Sequence, residues 1–322
     1  MTKSNEIFFF NNPISLILLK ASELSNDGTF VQASYVNPSP LKRNFNYRYS
    51  TLSADANFSL AQGICKILNI SLSRIEWKDF EAIKNPYAES LLIKKTASYP
   101  GKIQIYAADS YCIFGFSYTL RFILTKLRLI IHWRTHLKVR KKTRLYIVNK
   151  SKATTNFRNV EIIDCDQSNL LLESVCRILS PELFNNCGLK LKDKYLLVLP
   201  YPNFPDSIFL TKFFSRAQDL AEKENLKILL KPHRKDKNDY SRYFYKEIIS
   251  PRNPELFKQI PVEILFKHSS VQKIIAAPST SLYFADDSKL EIIAPKNSHW
   301  YKSYFLDCEP YLKFIAKKYI LL

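Results

Sequence analysis

The sequence predicts an α/β protein built as two α/β domains facing a central cleft. Three observations carry this expectation. The chain opens strand, turn, helix at Glu6–Leu24, a second strand–helix alternation starts at Tyr195, and a helical stretch followed by a linker joins the two across 166–193. At 322 residues there is room for about two domains, and 46% hydrophobic residues supply their cores. The expected boundaries are 1–165, a linker at 166–193, 194–300, and a C-terminal helix at 301–322 that packs back on the first domain.

The elements follow in order. Glu6–Phe10 is an apolar, aromatic run with strand character, broken by Asn11-Asn12-Pro13, after which Ile14–Leu24 reads as a helix. Leu60–Leu68 is a second helix, and Lys102–Ala107 is a strand with Asp109 just past its carboxyl end. Leu120–Leu137 repeats apolar residues at Leu120, Ile123, Leu124, Leu127, Ile130 and Ile131, a helical spacing. Lys138–Arg144 ends that helix and Leu145–Val148 is a strand. In the second half, Tyr195–Leu199, Lys227–Leu230, Pro261–Phe266, Lys273–Ala277 and Leu290–Ala294 read as strands, with a helix at Ser207–Asn225. Pro278-Ser279-Thr280-Ser281 leads into a helical stretch, and the tail Tyr301–Leu322 reads as helical.

Charge narrows the partners. The 48 Lys+Arg against 29 Asp+Glu leave +19, which favours an anionic partner. Twelve of these cations fall between Ser110 and Val160, where no Asp or Glu occurs; among them are Arg121, Arg128, Arg134, Lys138, Arg140, Lys141, Lys142 and Arg144. That segment is expected to meet either an anionic acceptor or an anionic membrane surface, or to be the solvated face of a core-packed helix. Nucleic acid is disfavoured, since aromatics interleaved with basic residues on a sheet are not evident. The glycines at 28, 63, 101, 115 and 188 are too dispersed for a dinucleotide fingerprint or a P-loop. The six cysteines show no C-x-x-C spacing and read as free thiols in a reducing cytosol. No signal peptide and no apolar run of membrane-spanning length is visible, so the chain is expected to be cytoplasmic, soluble or peripheral.

Four places can carry chemistry. Lys231-Pro232-His233 stands at the carboxyl end of a strand that proline stops, which exposes an imidazole able to hydrogen-bond a phosphate or pass it a proton. The plainer reading is an exposed turn. Ser279, Thr280 and Ser281 place hydroxyls at a helix start, either as an anion site or as an N-cap. Asp109 is a general base or a solvated loop acid. Glu263, inside an apolar run, either faces solvent or accepts ribose hydroxyls. His132, His136, His268 and His299 have no metal-ligand spacing with acids or cysteines and read as structural.

The order Lys231-Pro232-His233, then Pro261-Val262-Glu263-Ile264-Leu265, then Ser279-Thr280-Ser281 after a strand resembles the bacterial polysialyltransferase and lipooligosaccharide sialyltransferase families. The resemblance implies a GT-B fold of two Rossmann-like domains, with acceptor binding in the first and nucleotide-sugar binding in the second. It implies an inverting, metal-independent transfer of sialic acid, or a related CMP-activated nonulosonic or ulosonic acid, to a glycan or glycolipid acceptor in surface polysaccharide synthesis. The CMP-sugar is then a substrate and no cofactor is needed. Carried onto this sequence, His233 contacts the CMP phosphate and acts as acid, Ser279, Thr280 and Ser281 bind the same phosphate, Lys231 and Pro232 complete the strand end, and Glu263 holds the ribose. The family follows its histidine with proline, where this chain has Arg234. The family's base lies in a D/E-D/E-G motif, whose nearest counterpart is Ala107-Ala108-Asp109-Ser110, with one acid and no glycine. Two alternatives stand beside this reading: a CDP-glycerol-type or other nucleotide-donor transferase, and a non-catalytic basic protein that binds anions or a membrane surface.

Overall fold

The computed structural model describes residues 6–10, 13–14, 16–17, 20–21, 31–35, 60–70, 103–106, 143–147, 161–164, 167–201, 206–233, 236–245, 248–296 and 309–322. The expected helix at Leu120–Leu137, together with Asp109, Arg121, Arg128, Arg134, Lys138, Arg140, Lys141 and Lys142, lies outside the described residues. The chain divides into two compact units, Met1–Leu171 and Leu172–Leu322.

The first unit carries the strands β1 (Glu6–Phe10), β2 (Val31–Tyr35), β3 (Ile103–Tyr106), β4 (Thr143–Ile147) and β5 (Glu161–Asp164). They form one sheet in the order β2-β1-β3-β4-β5, and each pairing is parallel. Parallel neighbours cannot be joined by a tight hairpin, so every connection crosses over, as an α/β domain requires. Residues 60–67 are helical and bury Leu60, Ala61, Ile64 and Cys65 on one face. The sequence reading located β1 and β3 but not β2 or β5. It also ended a helix at Arg144, whereas Arg144 is within β4, in register with Gln104 and Glu161.

The division falls within α1 (Ser168–Asn186), which takes up most of the expected linker and opens the second unit. Gly188 ends it in the left-handed region (φ 66°), with the Leu189 N–H donating to the Phe184 carbonyl at 2.8 Å. A Cβ at Gly188 would come within 2.7 Å of Arg252 Cβ, so only glycine fits there. Then follow β6 (Tyr195–Leu199), α2 (Ser207–Lys223), β7 (Lys227–Leu230), β8 (Ile248–Ile249), α3 (Pro254–Gln259), α4 (Val262–Phe266), β9 (Val271–Ala276), β10 (Leu290–Ala294), α5 (Glu309–Ile315) and β11 (Lys318–Leu321). The sheet order is β11-β10-β9-β6-β7-β8, and each pairing is parallel. β6 is interior, and Tyr195 through Val198 are all buried, as expected of a parallel strand covered on both faces.

α2 shows why the sequence folds this way. Phe209, Leu210, Phe213, Phe214, Ala217, Leu220 and Ala221 recur at helical spacing and are all buried. Full burial of Phe213 and of Phe214 stabilises the unit by about 1.5–3 kcal/mol each. The Asp206 carboxylate caps the helix by accepting the Phe209 N–H at 2.9 Å. Asn225, at φ 53°, closes it with the Leu226 N–H donating to Ala221.

Two expectations are corrected here. Pro261–Phe266, read as a strand, is the short helix α4. Glu263 to Phe266 are consecutive and all buried, and a short apolar run of this kind has no period to separate helix from strand. The stretch after Pro278 is helical as expected, in the form of a five-residue 3₁₀ helix, Thr280–Phe284. The tail, expected to be a helix returning to the first domain, ends instead in β11, which pairs with β10 and adds an edge strand to the second sheet.

Candidate functional site

Because every strand of the second sheet runs the same way, the segments leaving β6, β7 and β9 emerge at one edge. β6 lies between the other two, with Val198 in register with Leu230 on one side and Ile275 on the other. The ladder continues one residue past the strands: the Lys231 N–H donates to Val198 O at 3.0 Å, and the Ala277 N–H donates to Leu199 O at 2.9 Å. Lys231-Pro232-His233 and Pro278–Ser281 therefore leave the sheet two strands apart, about 10 Å. In open α/β sheets ligands bind beyond this edge.

Within the first segment the three residues differ. Pro232 stops the ladder and His233 is exposed, its carbonyl accepting the Asp236 N–H at 2.8 Å. Lys231 is buried: its Nζ donates to the Lys258 carbonyl at 3.0 Å and lies 5.1 Å from the Phe257 ring centre. The ammonium thus ties the strand end to α3.

The segment after His233 is held by buried polar groups that the sequence reading passed over. The Tyr240 hydroxyl donates to Asp236 Oδ2 at 2.5 Å and stands 3.2 Å from the Tyr201 carbonyl, in the segment after β6. Asp236 Oδ1 accepts the Asn238 N–H at 3.1 Å. Burial, with the neighbouring Asp236 carboxylate as acceptor, pushes the Tyr240 phenol well above its ordinary range, so it stays a donor. Gln218, buried on α2, donates to the Tyr243 carbonyl at 3.1 Å and accepts the Tyr245 N–H at 2.9 Å. Asp236 and Asp239 flanking Asn238 are the one sequence signal for these turns.

At β9 the hydroxyls are close together. Ser279 Oγ and Ser281 Oγ share a hydrogen bond at 2.9 Å, and the Ser281 N–H points to Ser279 Oγ at 3.4 Å. Ser279 therefore caps the 3₁₀ helix, the plainer of the two readings, with both serines half-buried. Thr280 is the first residue of that helix. α4 packs against this 3₁₀ helix and brings Glu263 to the same flank. Glu263 is buried, at 2% exposure, which excludes the solvent-facing alternative. Its carboxylate acts on Cys176 of α1, whose thiol is pushed up to about 12 chiefly by burial, with Lys267 opposing and Glu263 adding.

His268 is structural: its Nδ1 accepts the Ser270 N–H at 3.2 Å, its ring meets Phe184 edge-on at 5.3 Å, and burial lowers its pKa. Cys65, Cys176 and Cys187 are buried free thiols. Among the described residues there is no group of acids, histidines and cysteines able to hold a metal ion. No helix among them is long and apolar enough to cross a membrane.

No family model matches the chain, and no curated protein matches it. Among solved structures it is similar to UDP-GlcNAc 2-epimerase from Neisseria meningitidis bound to UDP-GlcNAc, at 8% identity over 91% of this chain and 82% of that one, with a TM-score of 0.48. It is similar to UDP-GlcNAc 2-epimerase from Methanocaldococcus jannaschii, at 11% identity over 98% and 88%, with a TM-score of 0.46. It is also similar to the sialyltransferase from Photobacterium damsela, at 8% identity over 98% and 81%, with a TM-score of 0.44. At such identities the residues themselves, not these likenesses, carry the functional reading.

Proposed function

We propose that this chain is a GT-B glycosyltransferase that inverts the donor's anomeric centre without a metal, moving sialic acid or a related CMP-activated nonulosonic or ulosonic acid to a glycan acceptor. The observation that carries the proposal is the shared edge: His233 after β7 and the bonded hydroxyls of Ser279 and Ser281 after β9 flank β6 at the carboxyl end of one parallel sheet. A separation of about two strands suits a nucleotide phosphate gripped from both sides.

The chemistry balances with these groups. The acceptor hydroxyl attacks the anomeric carbon, and the bond from that carbon to the CMP phosphate oxygen breaks. His233 gives its proton to that oxygen, and the serine hydroxyls donate to the phosphate as its charge grows. Asp109 is assigned the acceptor's proton. Glu263 is assigned the ribose, which requires its buried carboxylate to be uncovered on binding. The acceptor is assigned to the basic residues from Arg121 to Arg144, as an anionic glycan or glycolipid met at the inner face of a membrane.

The test is release of CMP from CMP-N-acetylneuraminate with a glycan acceptor. His233→Ala should lower the rate by about 10²–10⁴-fold, the range for loss of a general acid. Unchanged turnover in His233→Ala, or turnover of CDP-glycerol in place of CMP-sugars, would overturn the proposal.

A further inference from the structure

A concavity lies beside this edge. It encloses about 450 Å³ between the first turn of α2 and the 237–243 segment, and Ser207, Lys237, Asn238, Asp239, Arg242 and Tyr243 line it. That volume suits a monosaccharide carrying one charged substituent. The lining is mostly polar, with two cations, one carboxylate, an amide and two hydroxyls beside Leu210.

The charge balance favours an oxyanion. Asp239 Oδ1 accepts the Ser241 N–H at 2.9 Å, and the bonds to Ser241, with the nearby Arg242 charge, hold this carboxyl below its usual range, so it offsets one of the two cations and leaves the other. Arg242 is placed rather than loose. Its Nη2 donates to the Tyr243 hydroxyl at 2.9 Å, and its guanidinium sits 4.9 Å from the Tyr243 ring centre. Phe214 stacks on the same ring at 5.3 Å and 22°. An arginine so fixed keeps N–H donors for a planar or tetrahedral oxyanion. The Asp206 carboxylate already caps α2, so the side-chain cations, not the helix end, supply the attraction.

The walls are also preformed. Gln218 fixes Tyr243 and Tyr245, and the Tyr240–Asp236 bond fixes the start of the segment, each through a polar side chain that is at least 95% buried. Rigid walls lower the ordering cost of binding a small polar ligand.

We infer that this concavity is a binding subsite for a small acidic sugar, one whose phosphate or carboxylate meets Lys237 and Arg242 while its hydroxyls meet Asn238 and Ser207. The inference goes beyond the proposed transfer reaction and does not depend on it. Titration calorimetry tests it with glucose 1-phosphate, N-acetylneuraminate, inorganic phosphate and neutral glucose as probes. At least one acidic sugar should bind at least tenfold more tightly than glucose and more tightly than phosphate alone. Whether the phosphorylated or the carboxylated sugar wins identifies the source of the charge. Lys237→Gln/Arg242→Gln should weaken that binding at least tenfold, and Ser207→Trp, which fills the space from the opposite wall, should abolish it. Thermal unfolding of both variants should stay near wild type, because the replaced side chains are exposed. CMP binding, which reads His233 and the paired serines, should be unchanged in the double variant. Equal affinity for glucose and the acidic sugars, or full acidic-sugar binding by the double variant, would overturn the inference whatever becomes of the transferase assignment.

Discussion

The segments that follow β7 and β9 leave one sheet at one edge, yet they are built by different means. After β7 the chain is fastened by buried polar groups that reach distant parts of the chain: Gln218 on α2 holds the Tyr243 carbonyl, and Tyr240 on the segment itself meets the Tyr201 carbonyl after β6. After β9 the fastening is local, a two-serine cap over a short 3₁₀ helix. The difference teaches where shape comes from. The β7 side should respond to changes in the core of the unit, while the β9 side should respond to single hydroxyls.

The largest expected effect is at Phe214. Its ring meets Phe213, Tyr240, Tyr243 and Phe244 at centroid distances of 4.8–5.3 Å, so it supports the whole β7 side. Phe214→Ala should cost about 3–5 kcal/mol in urea unfolding, by lost transfer and a residual cavity. A loss below about 1 kcal/mol would mean the aromatic cluster does not hold that segment.

Tyr240→Phe comes next. It removes the donor from a buried carboxylate and keeps the ring packing. The expected loss is about 1.5–3 kcal/mol, the range for hydrogen bonds to charged groups. An unchanged unfolding curve would show that the Tyr240 hydroxyl, through Asp236 and the Tyr201 carbonyl, does not hold the segment after β7.

These two residues also show what sequence could reveal. The α/β class was readable because β1, β3, β6, β7 and β9 are apolar runs ended by turn residues, with Pro232 and Pro278 marking two exits. β2 (V-Q-A-S-Y) and β5 (E-I-I-D) lack such a run and were passed over. β11 was lost in an aromatic tail that reads equally well as helix, and it becomes a strand through its pairing with β10. His233 and Ser279–Ser281 were legible as strand-end residues. Asp236 and Tyr240 were not, because a polar stretch such as K-D-K-N-D-Y reads as surface until a partner 39 residues away is brought to it. The burial of Lys231 was equally illegible, because the Lys258 carbonyl that holds its ammonium lies 27 residues further along the chain.

The β9 side should give smaller numbers. Ser279→Ala removes a cap and should cost about 0.5–1 kcal/mol of stability. Its CMP affinity should fall more than its stability does. The reverse ordering would make the hydroxyl a cap and nothing else.

The smallest effect sits at the opposite end of β9, at His268. Burial lowers its folded-state pKa, so the unfolded chain takes up this proton first as pH falls. Its contribution is complete above the unfolded value of about 6.5 and is lost as pH drops from there toward the lower folded value. Urea unfolding at pH 7.5 and pH 5.5 should therefore show a steeper acid loss in the wild type than in His268→Gln. Parallel behaviour of the two proteins would remove His268 as the cause.

The central claim is that His233 and the paired serines grip one nucleotide phosphate across β6. Titration of CMP into the wild type, His233→Ala and Ser279→Ala/Ser281→Ala tests it most directly. Saturable binding by the wild type, weakened at least tenfold in each variant while thermal unfolding stays close to normal, is the predicted result. Equal CMP affinity in all three proteins, or no CMP binding by the wild type, would contradict it.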